Sequence, residues 1–135
     1  MTVAIVSAAA ACYMTGVAWL VQLVVYPAFA RVEGPAFAGY HEAHKRSITY
    51  VVAPAMLVEL GTAAWLAYDT TTPLTVTGLG LALATWALTF FVAVPDHERL
   101  SRGFDPAIAR RLVLGHVPRT VAWTAHAVVG CLIVT

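Results

Sequence analysis

Four of the five histidines, His41, His44, His97 and His116, fall in two short polar stretches of an otherwise apolar chain, with Glu42, Asp96 and Glu98 beside them. His41 and His44 stand at i, i+3, so a helix would present both imidazoles on one face, and His97 and His116 come from two further polar helix ends. Imidazoles converging in this way are suited to a transition metal. Iron, as heme or non-heme, is the first expectation because carboxylates are at hand, and copper is the second. The carboxylates would add ligands or fix the imidazole tautomers. A lone His-x-x-His is a weak pattern, and histidines at a membrane surface often cap helices or meet headgroups. The expectation rests on three helix ends meeting.

A second group lies deeper. Glu59 and His126 each sit inside an apolar run, roughly 15 Å from the same end by helical rise, so they are expected to meet across a bundle. A carboxylate in hydrocarbon needs an interior partner, which makes this pair the candidate for proton transfer, with a purely structural hydrogen bond as the alternative. Glu59 is roughly 27 Å from the level of His41 along a straight helix, which implies two centres rather than one. Between them, His116, Arg119, Trp123, His126 and Gly130 form one helical stripe, and Thr15, Trp19, Gln22 and Tyr26 another. Both stripes are expected to face inward and to line a polar path. Arg119, Gln22, Tyr26 and Trp123 are then the candidate cofactor-binding residues, with Arg119 holding an anionic or oxygen-rich group unless it snorkels to a headgroup. Trp19, Trp86 and Trp123 would flank an aromatic ligand.

The elements that carry these residues are long apolar helices. The chain has 135 residues, 60% hydrophobic and 11% charged, far below the charge of a soluble domain, and it leaves room for one domain. Apolar runs extend over Val3 to Tyr26, Ile48 to Tyr68, Leu74 to Val94 and Val117 to Val134, each near membrane-spanning length. The fold expected is all-α: an antiparallel bundle of four transmembrane helices. Pro54 should kink its helix rather than end it. Gly34-Pro35 reads as a helix start, leading into the second span or forming a separate interfacial helix. Asp105 before Pro106 is the N-cap of a short helix ending near Leu114.

All eight basic residues, Arg31, Lys45, Arg46, Arg99, Arg102, Arg110, Arg111 and Arg119, fall in or beside Ala28 to Ser47 and Asp96 to His116. By the positive-inside rule both segments are cytoplasmic and both termini lie outside, in a bacterial inner membrane. The first run lacks a basic n-region and is too long for a signal peptide, so it is expected to persist. Cys12 and Cys131 lie in apolar runs and read as buried free thiols. The lipid bilayer and a lipophilic small molecule are the expected partners, and nothing basic enough for nucleic acid is present. Small residues at Ala8 to Ala11, Gly16, Gly78 and Gly80 permit close helix contacts, within the bundle or in a homo-oligomer.

Trp19, Gln22, Tyr26-Pro27 and Phe29, with Tyr40-His41, His44, Pro54, Met56 and Glu59, resemble a family of small, uncharacterised bacterial four-helix membrane proteins. Val94-Pro95, His97, the LSRGFD run from Leu100 and the closing RRLVLGHVPRTVAWTAHA extend the resemblance over nearly the whole chain. The family's closing pattern has asparagine and tryptophan near Gly115 to Val117, where this chain has His116. More remotely, four helices with an early arginine in the last are similar to anthrone-oxygenase-like membrane proteins. They are also similar to a heme-using four-helix protoporphyrinogen oxidase, from which this chain departs in length and histidine placement. Both likenesses imply oxidation of a lipophilic aromatic compound. The leading expectation is therefore a membrane oxidoreductase with a histidine-rich metal or heme site. The others are a proton-coupled carrier or metal-handling protein built on Glu59 and His126, and an assembly partner without catalysis.

Overall fold

The computed structural model describes residues 1–32 and 34–135 and is all-α among them. Four long helices form the bundle: α1 (Thr2–Arg31), α2 (Gly34–Asp69), α3 (Pro73–Leu100) and α4 (Pro106–Val134). Each is long and apolar enough to cross a membrane, as a multi-pass membrane protein requires. α1 packs on α2, α2 on α3 and α3 on α4, and α4 closes the ring against α1. The C-terminal ends of α1 and α3 and the N-terminal ends of α2 and α4 lie together with the basic residues, at what is called the basic end below.

Local sequence explains the helix ends. Thr72 accepts from the Thr75 N–H at 3.2 Å while the Thr75 hydroxyl accepts from the Thr72 N–H at 2.9 Å, a reciprocal cap completed by Pro73 at the first helical position. Asp105 caps α4 as expected, its carboxylate accepting from the N–H groups of Ala107 and Ile108. The helix that it caps is not short, however. α4 runs unbroken through Pro118, and α2 runs unbroken through Pro54 for 36 residues, about 54 Å against a hydrocarbon core of about 30 Å. The polar segments therefore consist largely of extensions of the spanning helices. Where an apolar run ends, the backbone still satisfies itself by continuing as helix, which composition alone does not reveal.

α1 and α3 also outrun their expected ends at Tyr26-Pro27 and Val94-Pro95. Both pass through one π-helical turn, Val21–Val25 and Thr89–Ala93, each followed by one residue and then a proline. Proline has no N–H to donate, so the preceding turn widens to re-pair its carbonyls, and such turns are frequent at functional sites.

Packing is tight where side chains are small. Ala8, Ala11 and Ala82 are buried, and a Cβ on Gly130 would lie 3.0 Å from the Ala8 Cα, whereas Gly16 and Gly80 face open space. Met14, Ala18, Met56 and Trp123 make a mid-bundle core, while Phe29, Phe37, Leu100 and Leu112 anchor a second core at the basic end. Large apolar side chains such as Leu23, Leu57, Phe91 and Leu132 point outward, which suits a lipid solvent. Cys12 and Cys131 are free, but they lie exposed on this outer surface rather than buried.

Candidate functional site

At the basic end the imidazoles do gather. His41 on α2 is fully buried, and its Nε2 lies 3.0 Å from Nδ1 of His97 on α3. The other nitrogen of His97, Nε2, lies 3.0 Å from the Tyr26 hydroxyl on α1. His44 stacks beside His97 with ring centroids 5.9 Å apart. Phe29 and Phe37 wall the group, Phe37 lying nearly parallel to His41 at 5.4 Å. His116 stands on the far side of Tyr26, 5.0 Å between centroids, with Nδ1 held by the Gln22 amide oxygen at 3.0 Å and close to the Thr120 hydroxyl at 3.1 Å. His41, His44 and His97 thus form one cluster, and His116 is separated from it by a phenol ring.

Hydrogen-bond polarity fixes the proton pattern of this cluster. The Ser101 hydroxyl donates to the His97 carbonyl at 3.0 Å and accepts from Lys45 Nζ, also at 3.0 Å. Its lone pair therefore faces His41 Nδ1, 3.4 Å away, so that Nδ1 carries hydrogen and His41 Nε2 accepts from His97 Nδ1. His97 Nε2 is then the acceptor for the Tyr26 O–H. Tyr26, His97, His41 and Ser101 form a chain whose donors all point one way, the arrangement through which a proton can hop. We expect 15N NMR of the His97 ring near neutral pH to show the Nδ1–H tautomer. The Nε2–H tautomer would contradict this direction. Acid that protonates both rings removes the acceptor between them and should open the His41–His97 contact.

The carboxylates expected beside the histidines are engaged elsewhere. Glu42 and Glu98 pair with Lys45 at 3.3 and 3.1 Å. Asp96 is buried and turned toward α4, where Arg111 approaches at 3.2 Å and Arg99 at 3.8 Å, as ion pairs without hydrogen-bond alignment. Among the described residues, no three of His, Cys, Asp or Glu are placed to hold a metal ion.

Glu59 and His126 meet in mid-bundle, both buried, with His126 Nδ1 2.7 Å from Glu59 Oε1. The second carboxylate oxygen accepts from Trp123 Nε1 at 3.0 Å. Glu59 is thus fully occupied in fixing two α4 side chains. The face of the Trp123 ring carries Arg119, whose guanidinium carbon is 4.9 Å from the ring centroid.

Several of these residues, but not Glu59, His126, His41 or His44, border a cavity of about 170 Å³. A water needs on the order of 15 Å³ by the same measure, so the space exceeds a few solvent molecules. Tyr26, His97, His116, Arg119 and Trp123 supply its polar wall, and Met14, Val17, Val21, Ile48 and Val52 are among its apolar lining. The cavity reaches the Lys45–Glu98 ion pair, where the protein surface begins. The two π turns contribute Val21, Thr89 and Ala93 to its wall, which ties the unusual backbone to the cavity.

Of the two stripes expected to face inward, that of α4 does so. That of α1 does so only in part. Thr15 donates to the Trp123 carbonyl at 2.9 Å, and Gln22 donates to the Val113 carbonyl at 3.1 Å. Trp19 instead lies 44% exposed on the outside, its indole donating to Thr124. It does not border the cavity, and neither does Trp86, so of the three tryptophans Trp123 alone lines it. Ser101, Lys45, Phe29 and Phe37 belong to the site although residue type did not single them out. The Tyr-Pro and Val-Pro pairs were the available signal for the widened turns.

The fold and this cavity define the class: a small four-helix, multi-pass membrane protein with a polar-walled chamber inside the bundle. Within that class no particular relative is found, since no protein-family model matches the chain, and neither curated proteins nor solved structures give a match. The family resemblance read from the motifs stands on those motifs alone.

Proposed function

We propose that the protein is a membrane-embedded oxidoreductase that binds a lipophilic small molecule in the central cavity and removes a proton from it. The observation that carries this reading is the shared wall. Apolar side chains that suit a greasy ring face Tyr26 and His97, the head of a one-way hydrogen-bond chain that runs through His41 and ends at Ser101. Tyr26 takes up a proton while its own passes to His97 Nε2, and the His97 Nδ1 proton passes to His41, which holds the added charge as an imidazolium donating to Ser101. The basic residues orient this end to the cytoplasm under the positive-inside rule, so the imidazoles that hold the proton stand on the cytoplasmic side.

Oxidation is supplied by the likeness to anthrone-oxygenase-like proteins, with molecular oxygen as the oxidant. Anthrone is the probe of choice. Its acidic CH2 loses a proton, one oxygen atom enters that carbon, and the other leaves with the two hydrogens as water, giving anthraquinone. Purified protein in nanodiscs should accelerate anthraquinone formation and oxygen uptake together. No acceleration with anthrone or with other lipophilic hydroxyaromatics would remove the catalytic reading.

Metal ligation is the second reading, and His44 favours it: its Nε2 is buried without a hydrogen-bond partner beside two stacked imidazoles. Ligation to iron or copper would require His41 and His97 to give up their mutual bond. Metal analysis and an optical spectrum of the purified protein decide between the two readings. The carrier reading has less support, because both Glu59 oxygens are already taken and the pair is sealed.

A further inference from the structure

Arg119 is a buried cation without a counter-ion. Its side chain is 94% shielded, its Nε has no hydrogen-bond partner, and among the described residues no carboxylate pairs with it. Glu59 on α2, which bonds the Trp123 indole beneath the guanidinium, is consumed by His126 and Trp123. The Tyr26 phenol lies beside the guanidinium but does not neutralise it.

Its surroundings matter as much as its burial. The guanidinium lies over the Trp123 ring and beside the Tyr26 phenol, and it borders the cavity. Trp123 is fixed in turn by Glu59. Burying a cation there costs a few kcal/mol, which a bound anion offsets.

We infer that the compound bound in the cavity carries an anionic oxygen head, a carboxylate, phenolate or enolate, which docks on Arg119 while its apolar body lies against Met14, Val17 and Val52. This rests on the cavity being the binding site and adds the substrate class: lipophilic weak acids, bound as their anions. A guanidinium beside Tyr26 and His97 also places the positive charge where it stabilises the oxyanion left when those residues take the proton.

The test compares 1-naphthoic acid with its neutral isostere 1-naphthamide by calorimetric titration of the purified protein in phosphatidylcholine nanodiscs. The acid should bind about tenfold or more tightly than the amide. Arg119→Gln should abolish that preference and keep the amide affinity, and Arg119→Lys should keep part of the preference. If Arg119→Gln does not fold, the wild-type preference and its partial retention in Arg119→Lys carry the test. Equal binding of acid and amide to the wild type overturns the inference and leaves the cavity reading intact. Binding of neither overturns both. The remaining source of such an anion is a lipid phosphate: if phosphatidylglycerol nanodiscs abolish naphthoate binding, and Arg119→Gln removes this lipid effect, the substrate assignment is overturned in favour of a headgroup.

Discussion

Replacing Glu59 with alanine is expected to destabilise the bundle by about 2–4 kcal/mol, the largest effect on stability of any polar substitution in the chain. The change strands two buried donors at once, His126 Nδ1 and Trp123 Nε1. Deleting a single surface ion pair such as Lys45–Glu42 should change stability by under about 1 kcal/mol. Glu59→Gln retains one acceptor oxygen and should recover roughly half of the loss. Denaturation of the purified protein in mixed micelles, monitored by circular dichroism, measures both variants. If Glu59 acted only in transport and not in packing, Glu59→Ala would unfold at the wild-type denaturant fraction. Trp123→Phe should also be non-additive with Glu59→Ala, because the two share one hydrogen bond.

The largest effect on activity is expected from His97→Ala, which should slow anthrone oxidation by about a hundredfold or more, the usual contribution of a positioned acid–base group. His97 holds Tyr26 on one side and His41 on the other, so its loss cuts the proton chain at its centre. Tyr26→Phe removes the hydroxyl that takes up the proton while leaving both imidazoles paired, and it should slow the reaction to a similar extent. His116→Ala leaves the chain whole and tests the separation that the structure draws, since His116 bonds Gln22 and Thr120 and not the other histidines. Steady-state rates with substrate in excess distinguish these cases. A His116→Ala loss as large as that of His97→Ala would mean that all four imidazoles act as one centre.

The helices were legible because their causes are local. Long apolar runs, a Thr-Thr-Thr-Pro break and an Asp-Pro start each specify an element without reference to the rest of the chain. The meeting of Glu59 with His126 was legible because a carboxylate in apolar surroundings must find a partner, and turn counting leaves few choices at its level. Trp19 was misplaced because its stripe shares a side of α1 with Thr15 and Gln22 but lies at the edge, where a large amphipathic ring can turn outward and still find the Thr124 hydroxyl. The acid at Asp96 was misassigned for a similar reason. Adjacency to His97 in sequence puts it about 100° away on a helix, where Arg111 of α4 waits. A polar path was legible from the two stripes, and Tyr26, Arg119 and Trp123 do border the cavity, but the part of its wall that the two widened turns supply was not.

Whether the chamber inside the bundle is where the small molecule sits can be measured by photolabelling. A lipophilic naphthol bearing a diazirine, irradiated with the protein in nanodiscs and mapped by mass spectrometry, should mark Met14 to Val21 on α1 and Ile48 to Val52 on α2, and excess unlabelled naphthol should suppress the marks. Labels confined to the outward-facing Leu23, Leu57 and Phe91, insensitive to competitor, would contradict the account.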